Sequence, residues 1–499
     1  MASPQPHVVM LPFPAQGHTK PMLMLAELLC HFGFRISFVN TDHIHNIILE
    51  NMDKSSFLNQ FPGFRFLSVP DGLPREHPRD LSSIMDLFTS IHSTGKIAFR
   101  DLIISLLKQD ELEGDQETIA WRPPCCIIAD GIMSLAIDVG EELEIPVFTF
   151  RTYSATCTWV YFHLEKLIEL RDIPVLEGDE DIDRLVTCIP ELEKVLRRRD
   201  LPSICKREAD HPTMKFFLEQ AAKMKKASGL ILNTFEDLEA PIIRQLHSIY
   251  SKVYTIGPLQ SLLKYRMVNS PVAALATSSS LRPEDRTCIA WLDRQPVKSV
   301  IYVSFGSVVV MSRDQILEFW HVLINSGKPF LWVIRPDMVR DDGPIGLPEE
   351  ITSFSTNERG YIVSWAPQEE ILAHRAVGGF LTHSGWNSTL ESITAGLPMI
   401  CWPLIVDQSV NSRCVSDIWR VGFDIKDTCD RSMVEKLVRV IMEDRDEEIA
   451  KSATKFANLA QESVMEGGSS FCNINKLIED IKSTIQSKKD RLQSQVRSS

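Results

Sequence analysis

Short apolar runs alternate with amphipathic stretches from one end of this chain to the other. The runs HVVMLPF (7–13), RISFVN (35–40), FRFLSVP (64–70), CCIIAD (125–130) and PVFTFR (146–151) read as strands, with helices near 19–32, 84–107 and 133–143. Two more β-rich stretches follow, SGLILNTF (228–235) and VYTIGPL (253–259). A second series opens at Ser299 with SVIYVSFGS and continues through FLWVIR, YIVSW, GGFLTH, PMICWP and VGFDI. Apolar runs of this kind, separated by helices, suit parallel sheets covered on both faces. The predicted fold class is α/β, in two similar halves.

Residues 261–290 break the pattern: they are polar, with a Ser run and the segment LRPEDRTC. The expected organisation is a first domain over 1–260, a linker over 261–290 and a second domain over 291–470. A helix and a polar, frayed tail should complete the chain over 471–499. No internal repeat is evident by residue identity.

Composition narrows the class without changing the picture. A chain of 499 residues is long enough for two full cores, and 44% hydrophobic with 24% charged residues is ordinary for a globular protein. The net charge of -13 argues against nucleic acid or an anionic membrane as partner. No apolar run approaches the ~18 residues of a membrane span, and the start MASPQPHVVMLPF lacks the basic region of an export signal. The eleven cysteines are scattered and lack CxxC spacing. Reduced thiols and a cytoplasmic location are the expectation.

The candidate chemistry concentrates in residues 365–408, WAPQEEILAHRAVGGFLTHSGWNSTLESITAGLPMICWPLIVDQ. Trp365 offers a flat face to a base. The segment from Thr382 through His383, Ser384, Gly385, Trp386 and Asn387 to Ser388 leads from an apolar strand through a tight turn into a helix. A helix start suits a phosphate, through its N–H groups and the positive end of its dipole. Glu391 lies one turn beyond Asn387 on the same face, within reach of a sugar hydroxyl pair. Asp407 and Gln408 follow the next strand, where loops of open α/β sheets bind ligands.

A second site sits after the first strand, in PFPAQGHT (12–19). His18 opens a helix at the carboxyl edge of the first sheet, and a positioned imidazole can take a proton from a hydroxyl. Asp130 ends the strand CCIIAD and can orient that ring, though capping the following helix is an equally ordinary role for it.

These segments resemble the plant UDP-glycosyltransferases, whose secondary product glycosyltransferase box matches the 365–408 window from its first Trp to its last Gln. The resemblance implies a GT-B type fold: two Rossmann-like domains facing a cleft, the N-terminal one for the acceptor and the C-terminal one for UDP-sugar. It implies that Trp365 stacks on uracil and Glu391 binds ribose. Further, His383, Asn387 and Ser388 hold the diphosphate, while Trp386, Asp407 and Gln408 bind the sugar; Ala366, Gln368 and Gly385 complete the donor site. Many members carry Glu where this chain has Asp407. A terminal Gln is read as favouring glucose. The resemblance also implies that His18 and Asp130 are catalytic, that Thr152 touches the sugar and that Ser307 lies near the phosphate. TCDR (428–431), RRRDLP (197–202) and NTFEDLE (233–239) look like the group containing 7-deoxyloganetic acid glucosyltransferases.

The expectation is an inverting, metal-independent glucosyltransferase, with UDP-glucose as co-substrate and no cofactor. The acceptor expected is a small lipophilic plant metabolite, a monoterpenoid or iridoid first and a phenolic second, and the chain is expected to be a monomer. A non-catalytic nucleotide-sugar binder would not need the His18 and Asp130 pair. An epimerase would need a nicotinamide, and no GxGxxG follows a first strand. Asp179-Glu180-Asp181 is formally a DxD metal signature but lies in an acidic loop, so a solvated surface is favoured. His43 and His45 lack a third ligand nearby. Arg197, Arg198 and Arg199 read as a solvated or ion-paired face, with acceptor carboxylate binding as the alternative.

Overall fold

A computed structural model describes residues 5–108, 121–176, 178–267, 282–339, 347–354, 359–425, 430–444 and 446–498. The chain separates into two compact units, one built from 1–162, 210–281 and 463–499, the other from 163–209 and 282–462. Each is a parallel sheet covered by helices.

The first unit holds seven strands: β1 (His7–Leu11), β2 (Arg35–Thr41), β3 (Phe64–Val69), β4 (Cys126–Asp130), β5 (Val147–Arg151), β6 (Gly229–Leu232) and β7 (Val253–Thr255). Their order is β3-β2-β1-β4-β5-β6-β7. All pairings are parallel, and the chain departs in opposite directions from β1, so β1 and β4 flank the switch point of the sheet. On one face Val8, Met10, Phe38, Phe148 and Phe150 pack against the helix Gln16–His31 and its neighbours.

The second unit holds β8 (Val300–Ser304), β9 (Phe330–Val333), β10 (Gly360–Val363), β11 (Val377–Thr382), β12 (Met399–Cys401) and β13 (Gly422–Asp424). Here the order is β10-β9-β8-β11-β12-β13, which puts the switch point between β8 and β11. β8, β9 and β12 are buried throughout, as their uninterrupted apolar runs require, whereas Tyr361 and Ile362 of the edge strand β10 are half-buried.

Three boundaries differ from the sequence reading. Segment 163–209 groups with the second unit. Ser203 N–H donates to Val406 O (3.0 Å), Val406 N–H donates to Ser203 Oγ (2.8 Å), and Arg413 pairs with the buried Asp200 (3.4 Å). The expected linker is divided: its start lies in the helix Leu259–Met267 of the first unit, its end belongs to the second, and 268–281 lies outside the described residues. The helix Ser469–Ser498 belongs to the first unit and absorbs the polar stretch expected to fray. Its buried stripe of Ile474, Leu477, Ile478 and Ile481 packs into the first core, and Asn473 Nδ2 donates to Thr255 Oγ1 (2.8 Å) at the β7 edge. Burying each such side chain stabilises by about 1.5–3 kcal/mol, which anchors the helix against its polar end. Of TCDR, Thr428 and Cys429 lie outside the described residues.

Candidate active site

Topology brings the first set of predicted residues together. His18 sits in the first turn of the helix that follows β1, and Asp130 is the last residue of β4, across the switch point. His18 Nδ1 lies 2.7 Å from Asp130 Oδ2. A carboxylate only accepts, so the ring proton is on Nδ1 and Nε2 carries the lone pair. The other carboxylate oxygen, Asp130 Oδ1, accepts from Ile132 N–H at 2.9 Å, so the acid both orients the ring and caps the following turn.

Thr152 joins this pair, and nothing in the sequence pointed to that connection. Its Oγ1 stands 2.9 Å from His18 Nδ1 and donates to Asp130 Oδ2 at 3.5 Å. The turn carrying Thr152 is fixed by the buried Glu239, which accepts from Ala155 N–H (3.0 Å), Thr156 N–H (2.8 Å) and the Thr156 hydroxyl (2.7 Å). Burial raises the Glu239 carboxyl above its usual range, while its place at the start of the helix Ala155–Tyr161 favours the anion.

Aromatic rings hold the imidazole and extend away from it. Phe13 and Tyr153 meet His18 edge-on, with centroids 5.1 and 5.6 Å away. Phe13 touches Phe88 (5.4 Å), which stacks on Phe216 at 4.4 Å, and Phe217 stacks on Tyr161 at 5.3 Å. Phe216 and Phe217 come from the helix Pro212–Met224. The result is a largely buried aromatic wall that begins at the His18 ring, with Phe216 and Phe217 half-buried.

The donor-box residues collect at the other switch point, inside the second unit. β11 ends at Thr382, paired to Ser304 of β8, and the loop from His383 to Gly385 leads into the helix Trp386–Ala395. His383 lies between two glycines. A Cβ on Gly306 or on Gly385 would stand 2.4 Å from its Nε2, so both positions exclude any larger residue. Gly306 has φ +73°, and the half-buried Ser307 follows it in the same turn.

Burial, and then the nearby Arg335 guanidinium, lower the His383 pKa to about 4. It is therefore a neutral hydrogen-bonding group at neutral pH and cannot replace a cation by charge. The fixed positive charge here is Arg335, almost fully buried. It donates to the Gly306 carbonyl, to Val309 O (2.7 Å) and to Asp337 Oδ1 (3.1 Å), which shapes the turn carrying Gly306 and Ser307. Arg335 has no motif to betray it in the sequence.

Gln368 ties two predicted ligands together, donating from Nε2 to Ser388 Oγ (2.9 Å) and Glu391 Oε2 (2.7 Å). Trp365 stands half-buried after β10, with the Arg282 guanidinium 5.7 Å from its ring centroid, and the buried Ala366 follows it. Asn387 is half-buried at the helix start. The indole of Trp386 is buried beside Trp419, with ring centroids 6.2 Å apart.

Asp407 and Gln408 are both buried. Asn411 Nδ2 bridges Asp407 Oδ2 (2.7 Å) and Ser384 O (3.0 Å), joining the loop after β12 to the loop after β11. Gln408 Oε1 accepts from Leu404 N–H (2.9 Å) and Ile405 N–H (3.0 Å), which aims its amide NH2 away from its own loop.

The model of the UDP-glucoronosyl and UDP-glucosyl transferase family matches residues 269–456. A 7-deoxyloganetic acid glucosyltransferase from Catharanthus roseus is 46% identical over 483 residues, 96% of this chain and 98% of that one. This chain belongs to that family. It is a UDP-glycosyltransferase of GT-B fold. Myricetin 3-O-rhamnoside 1,2-glucosyltransferase of Crocosmia x crocosmiiflora is 43% identical, covering 96% of each chain. Os79 from O. sativa, solved in complex with UDP, superimposes with a TM-score of 0.77 at 28% identity, covering 95% of this chain and all of that one.

In this UDP-glycosyltransferase the DxD segment and the arginine run are engaged in ion pairs. Arg198 pairs with Asp179 (3.1 Å) and Asp181, Arg197 with Asp200 (2.9 Å), and Arg199 with Asp183 (3.0 Å). The acidic loop and the arginine run thus neutralise each other. Among the described residues no group of three or more His, Cys, Asp or Glu side chains could hold a metal, and no helix is long and apolar enough to cross a membrane.

Proposed function

We propose that this enzyme moves glucose from UDP-glucose to a hydroxyl of a small lipophilic plant metabolite, an iridoid or other monoterpenoid such as 7-deoxyloganetic acid. The observation that carries the chemistry is the His18 to Asp130 contact of 2.7 Å, which leaves Nε2 as the basic nitrogen. No hydrogen bond to Nε2 occurs among the described residues. A nucleotide-sugar binder has no use for such a base. The acceptor class is supported by the 46% identical relative, whose name specifies that substrate. The 43% identical relative, named for a flavonoid glycoside, supports a phenolic acceptor as the second reading.

In the proposed reaction, His18 Nε2 takes the acceptor hydroxyl proton as the oxygen attacks the anomeric carbon. The carbon–oxygen bond to UDP breaks on the opposite face, so the configuration inverts. Asp130 stabilises the imidazolium, and that proton passes to solvent afterwards. Charge growing on the leaving diphosphate is met by the start of the helix Trp386–Ala395, neutral His383 and the Arg335 guanidinium. Trp365 takes uracil and Glu391 the ribose; Asp407 and the Gln408 amide take glucose. The step is proposed to need no resident metal, a reading supported by the pairing of Asp179 and Asp181 with Arg198. Ten cysteines are unpaired among the described residues, which accords with a cytoplasmic enzyme, and we propose that it acts as a monomer.

Incubating the enzyme with UDP-glucose and a panel of iridoid, monoterpenol and phenolic acceptors, with mass detection of hexosides, tests the reading. The expected result is a β-glucoside of an iridoid formed fastest. Absence of any hexoside overturns it, and preferential phenolic glucosylation replaces the acceptor.

A further inference from the structure

The arginine run at 197–199 is consumed by aspartates, yet another arginine lies beside the catalytic dyad with no carboxylate partner among the described residues. Arg151 is the last residue of β5, 4% exposed. Strand alternation turns Phe148 and Phe150 into the core and Arg151 to the opposite face. There its Nε donates to Thr158 Oγ1 (3.3 Å), and Nη1 meets Met224 Sδ at 3.7 Å. Its guanidinium lies over Tyr153 at 4.4 Å and near Tyr161 at 5.6 Å from the ring centroids. Nη2 has no hydrogen-bond partner among the described residues.

Two neighbours place this cation at the acceptor end of the dyad. Tyr153, over which it stacks, is the ring that meets His18 edge-on at 5.6 Å. Gly131, the residue after Asp130, gives up a side chain to it: a Cβ there would stand 2.4 Å from Arg151 Cδ and 2.6 Å from Nη1. A guanidinium with unused donors, on an otherwise aromatic wall, has capacity left to receive an anion. Cation–π contacts recover only part of what an ion pair would supply.

We infer that Arg151 is the acceptor's carboxylate anchor, so that the preferred acceptor pairs an apolar ring body with an ionised carboxyl group and presents its hydroxyl to His18. This deepens the glucosyl-transfer reading and rests on it. The planar fork matches a carboxylate, and pairing would satisfy Nη2. A neutral acceptor of the same shape would leave the guanidinium as it stands. Arg151 thereby discriminates acids from their esters rather than taking part in bond making.

The test compares 7-deoxyloganetic acid with its methyl ester in the wild type, Arg151→Met and Arg151→Lys. The wild type should show a KM for the acid roughly 10-fold or more below that for the ester, the range for charged hydrogen bonds in a partly buried site. Arg151→Met should erase that ratio by raising the acid KM, with Arg151→Lys recovering part of it. A merely structural arginine would shift both acceptors together and leave the ratio unchanged. UDP calorimetry and thermal melting identify a variant that has failed to fold. In that event the wild-type ratio alone decides, since an ester used as well as the acid overturns the assignment. Absence of transfer to both acceptors sinks the glucosyl-transfer reading instead; calorimetric binding of acid and ester to the wild type then decides Arg151, equal affinity counting against it.

Discussion

His18 and Asp130 are 112 residues apart in sequence, and the imidazole Nδ1 meets the carboxylate Oδ2 at 2.7 Å. The side chain of the acid is 1% exposed and that of the histidine 13%, so water competes weakly for the contact. Two strands flanking one switch point deliver the two side chains, and Thr152 at the end of the next strand braces both.

His18→Ala should lower turnover on an aliphatic alcohol by roughly 10²-fold or more, because such a hydroxyl needs a proton acceptor in the transition state. Asp130→Asn should cost less, and Thr152→Val less again, since each leaves the imidazole. Affinity for UDP itself should persist in all three variants. Calorimetry with UDP beside turnover on an alcohol acceptor separates the effects. Full alcohol glucosylation by folded His18→Ala would sink the mechanism.

Donor recognition predicts a different pattern. Trp365→Ala removes a stacking face worth roughly 1–3 kcal/mol for a base, so the KM for UDP-glucose should rise about 5-fold or more. Gln408→Ala also removes the acceptor of the Leu404 and Ile405 N–H groups. It should therefore reduce kcat with glucose and loosen the choice between glucose and galactose. Parental constants and sugar preference in both variants would refute the donor assignment.

Strands were the most legible feature, because burial on both faces makes each run continuously apolar; β8 and β11 are examples. The donor motif was legible for the same reason that it is compact: one loop and one helix carry most of it. Arg335 and Asn411 were not, since each acts through carbonyls and side chains brought close only by the sheet. The C-terminal helix was expected, but not its place in the first unit, because only the fold brings its stripe of Ile474, Leu477 and Ile481 onto the first core. Arg151 was read as the end of a strand; its meaning lies in the rings it touches.

Metal removal should leave the rate intact. In the proposed reaction the start of the helix Trp386–Ala395 meets the charge of the diphosphate, and the DxD carboxylates Asp179 and Asp181 are already paired. Exhaustive EDTA treatment followed by turnover is the measurement. Loss that only magnesium or manganese restores would return those aspartates to the site.

Acid should destabilise the protein through two buried histidines. Burial lowers the His7 pKa to about 3 and the His383 pKa to about 4, against 6.5 for an ordinary imidazole. His7 is held neutral with Nδ1 2.6 Å from Arg122 O and Nε2 2.8 Å from Ser37 Oγ. The sign follows from proton counting: below pH 6.5 the unfolded chain binds protons that the native state refuses, so stability falls as pH falls. It keeps falling until the native imidazoles also titrate, near 4 for His383 and near 3 for His7. At pH 5 each group should have withdrawn roughly 2 kcal/mol. Melting temperature measured from pH 7.5 to 5 should drop, and His7→Gln should flatten that slope while lowering the starting value. UDP-glucose affinity should stay level across the same range, because His383 remains neutral and the donor diphosphate stays fully ionised. A binding transition centred near pH 6.5 would mean that His383 titrates as an ordinary imidazole.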